Sequence, residues 1–221
     1  MKTKITSLIT AGMLGATMAS QAAVVTVPTG LNPGDTYRLV FLTSTTTVAT
    51  STSISTYNTF VNAAADLNSD LDAISWTAMG STATVNVRDN TGTTGAGTSI
   101  AIYTVTGNLV ANDYTDLWDG FIANEITVDE FGADNSVTSA WTGSNGIGTT
   151  SSNSLGEDTA RAGNPTREDQ EGWWMNRVGS ANTLEKPMYA MSEVLTVAVP
   201  EPSSAALLGL GGFALIFRRR K

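Results

Sequence analysis

MYAMSEVLTVAV, residues 188–199, is the last apolar run before a proline, and the fold depends on how it is read. Its β-branched and aromatic residues, uninterrupted by Gly or Pro, spell a strand. A stretch of the same character lies near the start of the body. There, LNPGDTYRLVFLTS (31–44) makes a turn at Asn32-Pro33-Gly34-Asp35 and then alternates Tyr37, Leu39 and Phe41 with Arg38, Val40 and Leu42. First and last strands of like character imply that the two ends of the body pair in one sheet.

Between them, SISTYNTFVNAAADLNSDL (53–71) carries Tyr57, Phe60, Val61, Ala64 and Leu67 at helical spacing, which predicts a helix from about Ser55 to Leu67. ISWTAMGS (74–81) is a short core stretch, and STATVNVRDNTGTTGAGTS (81–99) passes from a short helix or turn into a Gly/Thr loop. IAIYTVTGNLV (100–110) reads as a hairpin turned at Gly107-Asn108, and DYTDLWDG (113–120) offers Leu117 and Trp118 to the core, with Trp76 and Trp141. Residues 133–172 are rich in Gly, Asn, Ser and Thr, with VTSAWTGS (137–144) as the one strand-like exception. A structureless stretch of that length is functional or disordered, so a working surface is expected there. The sum is one strand-rich α+β domain over residues 24–199, with an all-β sandwich as the alternative.

The chain has 221 residues, no Cys and no His. Disulfides, thiol nucleophiles, Cys/His zinc sites and imidazole-based triads are therefore excluded. Net charge is −8, and half of the twelve cationic residues lie at the two ends, leaving an acidic body. With no basic stripe among aromatics, that body repels phosphate backbones, and no nucleic-acid partner is expected.

The N-terminus, MKTKITSLITAGMLGATMASQAAVV (1–25), has a charged start at Lys2 and Lys4, an apolar stretch and the small-residue pattern Ser20-Gln21-Ala22. Residues 1–22 thus read as a secretory signal, for which the Sec translocon and signal peptidase are the partners. The other end, VPEPSSAALLGLGGFALIFRRRK (199–221), joins Pro200-Glu201-Pro202 to an apolar segment and four terminal cations, Arg218, Arg219, Arg220 and Lys221. The apolar run gives roughly 22 Å of helix, short for a span of about 30 Å. Order, spacing and position resemble the PEP-CTERM sorting signal of Gram-negative bacteria. That resemblance implies recognition of Pro200-Glu201-Pro202 by an exosortase-type membrane peptidase, with Arg218 to Lys221 as the membrane stop. It further implies transient anchoring in the inner membrane by a C-terminal helix, and then release or transfer to the cell surface, often beside extracellular polysaccharide.

The body carries a second resemblance, over roughly 36–197. FVNAAADL, ISWTAMGSTATVNVRDN, IAIYTVTGNLV, DLWDG, AWTGSNGIG, EGWWM and MYAMSEVL follow the order of elements in the C-type-lectin-like fold, and in particular its endostatin-like bacterial relatives. Such a fold would here stand without disulfides. The calcium and sugar ligands of that fold do not carry over: Gly163-Asn164-Pro165 lacks the carboxylate before the proline, and Trp174-Met175-Asn176 lacks the Asp after the Asn.

Asp113, Asp116 and Asp119 would share one face of a helix, and with Asp129 and Glu130 they are the candidates for a hard cation such as Ca²⁺; the alternative is a solvated acidic face. Trp173 and Trp174 are the candidates for a platform under a sugar ring, the alternative being that one of the pair is core. No residue set identifies a reaction, so the expectation is a surface or matrix protein that acts by binding or structure, with no catalytic residues and no cofactor, and with exopolysaccharide as its partner. The alternatives are a carboxylate-dependent glycan hydrolase and a calcium-stabilised adhesion module.

Overall fold

Residues 23–95 and 98–200 are described by a computed structural model. Residues 1–22, read above as a secretory signal, Glu201, Pro202, the apolar tail and Arg218 to Lys221 lie outside the described residues. In chain order the elements are β1 (Thr36–Leu42), α1 (Ile54–Ala65), β2 (Trp76–Ala78), α2 (Val87–Thr91), β3 (Ala101–Thr104) and β4 (Leu109–Ala111). There follow α3 (Tyr114–Leu117), β5 (Ala140–Trp141), β6 (Thr159–Gly163), β7 (Val178–Ala181), β8 (Tyr189–Ser192) and β9 (Leu195–Thr196). The chain is strand-rich with few helices.

The expected pairing of the first and last strands is present. β1 runs antiparallel to β8, with Phe41 opposite Ala190, and antiparallel to β9, with Thr36 opposite Thr196. On its other side β1 runs parallel to β3, giving a mixed sheet in the order β2-β8-β1-β3-β4 with β9 added beside β1. Parallel pairing at the centre explains the apolar run LVFL, because such a strand is covered on both faces. Tyr37, Leu39 and Phe41 pack with Tyr57, Val61, Ala64 and Ala65 of α1, while Val40 and Leu42 pack with Ile102, Val110, Leu117, Trp118, Trp174 and Tyr189. Arg38 is buried in the second group, and its guanidinium donates to the Tyr114 hydroxyl at 2.7 Å and the Ser192 carbonyl at 2.9 Å.

Both margins of this sheet are closed by side chains. At β2, the Asn62 amide donates to the Trp76 carbonyl at 2.5 Å and accepts from the Trp76 N–H at 3.0 Å. Asn58 accepts from the Ala78 N–H, and Asn90 donates to the Ala78 carbonyl. Three asparagines thus stand in for a neighbouring strand. At β4, the Ala123 N–H reaches the Val110 carbonyl and the Asn124 amide reaches the Leu109 carbonyl, both at 2.8 Å.

The stretch 133–172 departs from its structureless reading. It supplies β5 and β6, which with β7 form a second antiparallel sheet in the order β5-β6-β7. Apart from Val178 of β7 and the buried Trp141 of β5 these strands are built from Thr, Ala, Arg, Gly and Ser, so in β6 backbone proximity replaces apolar bulk. A Cβ on Gly163 would lie 1.8 Å from the Trp174 carbonyl oxygen, a position only glycine can fill. The Trp141 N–H to Pro187 carbonyl bond, 2.9 Å, joins this sheet to the strand β8.

Candidate functional site

The Gly-rich segment does reach a surface. Gly120, after α3, meets Asn145, Gly146 and Ile147, after β5, and Glu171, Gly172 and Asn176, before β7, around an open cleft of about 270 Å³. The loops meet through bare backbone: the Gly172 N–H donates to the Gly120 carbonyl at 2.6 Å, and a Cβ on Gly146 would lie 2.5 Å from the Gly172 Cα. Side chains at either glycine would wedge the loops apart and remove the cleft. Trp118 is buried beside it and stacks on Trp174 with ring centroids 5.7 Å apart.

One apolar side chain left in water lines this cleft, and two more follow its lining glycines in sequence. Ile147 is 54% exposed, Phe121, next to Gly120, 47%, and Trp173, next to Gly172, 39%. The Arg177 guanidinium lies 6.0 Å from the Trp173 ring centroid and covers one face of it. Polar groups are few and mixed: the Asn145 and Asn176 amides and the Glu171 carboxylate. Such a lining offers donors and acceptors beside one aliphatic side chain, with the exposed Trp173 ring next in sequence, a combination compatible with a neutral polyhydroxylated ring.

The two tryptophans offered as a platform have separated. Trp173 is at the surface, whereas Trp174 is fully buried between Trp118 and Tyr189, so Trp174 is withdrawn as a ligand contact. Trp76, Trp118 and Trp141 are buried as expected.

The carboxylates offered for a metal are not gathered. α3 is only four residues long, so the helical face that would align Asp113, Asp116 and Asp119 does not extend to all three. Asp113 caps it, accepting from the Thr115 and Asp116 N–H groups at 2.7 and 2.9 Å. Asp116 accepts from the Asn112 N–H at 2.7 Å, and Asp119 from the Phe121 N–H at 2.9 Å. Asp129 accepts from the Phe131 and Ala133 N–H groups, and buried Glu130 accepts from the Ser44 N–H and hydroxyl. The four aspartates are committed to nearby backbone donors and Glu130 to the distant Ser44, and among the described residues no group of three or more acidic side chains is placed to hold a metal ion.

A different pair comes together that spacing did not single out. Glu125 and Glu168 share a hydrogen bond; burial first, then that bond, then the charges of Glu168 and Asp134 push the Glu125 carboxyl above its ordinary range, with Arg167 opposing. Forty-odd residues separate the two in sequence, and neither lies in a motif, so nothing in the chain pointed to them.

Among the described residues no helix is long and apolar enough to cross a membrane. Pro200 is exposed at the end of the described chain. Residues 198–221 match the family model of the PEP-CTERM protein-sorting motif. The motif implies an exported protein recognised by an exosortase, a membrane protease, with anchoring through the C-terminal region and a surface or secreted destination. No curated protein matches the chain.

Proposed function

We propose that the exported domain binds a neutral polysaccharide at the cleft between Gly120, Gly146 and Gly172, and that it does so without catalysis. The observation that carries this reading is the open cleft lined by Asn145, Ile147, Glu171 and Asn176, with exposed Phe121 and Trp173 next in sequence to its lining glycines Gly120 and Gly172. The acidic body favours an uncharged glycan over an anionic one, since like charges raise the free energy of approach. The pairing of first and last strands, with a helix between them packed on the sheet, supports the C-type-lectin-like resemblance of the body, a fold known for loop-borne binding.

Hydrolysis is less well supported. Glycosidases use two carboxyl groups about 5 Å or more apart. Here Glu171 is the one carboxylate among the residues that line the cleft, and Glu125 and Glu168 do not line it, so no pair of carboxyl groups is set across it.

The test is affinity electrophoresis of the purified protein through gels containing neutral or carboxylated polysaccharides. Retardation by a neutral polymer is expected, with Trp173→Ala weakening it at least about tenfold, roughly 1.4 kcal/mol, at an unchanged melting temperature. Free migration through all neutral polymers, or full retention by the variant, overturns the reading.

A further inference from the structure

The fold hands the chain to the sorting signal without a linker. The last backbone bonds to the body are the Gly34 N–H to the Val197 carbonyl and the Val197 N–H to the Asp35 carbonyl, each 2.9 Å. The matched motif begins at residue 198, the very next position. From Val197 to Pro200 are three residues, which span at most about 10 Å when fully extended. A cleavage motif held that close cannot enter a membrane peptidase while the folded body stands clear of it.

The exit point is also rigidly built. Asn32-Pro33-Gly34-Asp35 forms a tight turn, with Gly34 at φ +92 and the Asp35 carboxylate accepting from the Asn32 N–H at 2.7 Å and its side-chain amide at 3.2 Å. Proline fixes one dihedral, glycine allows the next, and the carboxylate clamps the turn shut. Pro33 and Gly34 are exposed beside Thr196 and Val199, which is 64% exposed. Val199 approaches Gly34 closely, a Cβ there lying 3.8 Å from its Cγ2. Leu195 and Val197 pack on the core cluster of α1, holding β9 to the sheet.

We propose that this margin, the turn 32–35 with the outer side of β9, is a docking surface that the exosortase-type membrane peptidase meets while it holds Pro200-Glu201-Pro202. The occupant follows from the spacing, because whatever grips the motif must touch the turn beside it. The inference rests on the sorting motif and is independent of the glycan reading.

The experiment follows cleavage of the full-length chain by pulse-chase in a host that carries the peptidase. Pro33→Glu and, independently, Thr196→Glu place a charge on the margin; each is also made with a flexible insert of about ten Gly/Ser residues between Val197 and Ala198, adding about 17 Å of reach. Several-fold slower cleavage of the charged variants is expected with the native spacing, restored by the insert, while the melting temperature of Thr196→Glu matches the parent. Equal cleavage of all forms overturns the proposal. So does a Thr36→Cys/Thr196→Cys staple across β1 and β9 that blocks cleavage until reduced, since β9 must then leave the sheet and the margin is not a dock. Failure of the parent to be cleaved at all refutes the sorting reading instead.

Discussion

At the scale of single residues, much of what the sequence offered as chemistry is architecture. Asp113, Asp116, Asp119, Asp129 and Glu130 looked like a cation set because carboxylates at short spacing are how such sites are written, yet the four aspartates accept from nearby backbone N–H groups and Glu130 ties down the distant Ser44. Gly163, by contrast, carried no visible signal and is the tightest position in the body. Gly163→Ala is expected to destabilise at or above the upper end of the roughly 1–3 kcal/mol of overpacking, since its methyl would meet a backbone oxygen; urea denaturation measures it. Glu125 gives a pH effect of definite sign. Its carboxyl is raised above its ordinary range, mainly by burial and by Glu168, so the folded state holds that proton more tightly than the unfolded chain. Its stabilising contribution is therefore present below the ordinary glutamate range and is lost as pH rises through the raised value. Glu125→Gln should flatten the melting temperature across that window, matching the parent in acid and exceeding it near neutrality; a steeper fall in the variant would contradict the assignment.

At the scale of elements, legibility followed apolar bulk. α1 was readable because Tyr57, Val61 and Ala64 face the core at helical spacing, β1 because its side chains are mostly large and apolar or aromatic, and β8 because it opens an apolar run free of Gly and Pro. β5, β6 and β7 were not readable beyond VTSAWTGS: Thr, Ala, Arg, Gly and Ser carry little hydrophobic pattern, and what orders them is close backbone approach to segments distant in sequence. The cleft was legible only as a region, since 133–172 holds Asn145 to Ile147, Glu171 and Gly172, while Gly120 and Asn176 join it through contacts no local pattern reports. The asparagines of α1 show the same limit. Asn62 reads as a neutral helix residue, yet it satisfies both outward backbone groups of Trp76. Asn62→Leu keeps the size and removes the bonds, and a loss of about 2 kcal/mol is expected from denaturation, as befits buried groups left unpaired.

At the scale of the whole molecule, stability rests on β1 being wrapped on both faces, with no disulfide to share the load. Leu39→Ala, fully buried among the residues of α1, is expected to lower stability by about 2–5 kcal/mol by equilibrium unfolding. Calcium should matter little, because the candidate carboxylates are already engaged; adding calcium or a chelator is expected to leave the melting temperature unmoved, and a rise with calcium would mean that it binds the native state. The asparagine seal on β2, mirrored by Ala123 and Asn124 on β4, has a consequence beyond folding. Molecules delivered to a cell surface arrive at high local density, where one sheet can recruit the next and a coat can harden into fibres. Here the β2 margin meets neighbours with the outward backbone groups of Trp76 and Ala78 already bonded instead of a template, so copies laid as closely as tiles do not join through that edge.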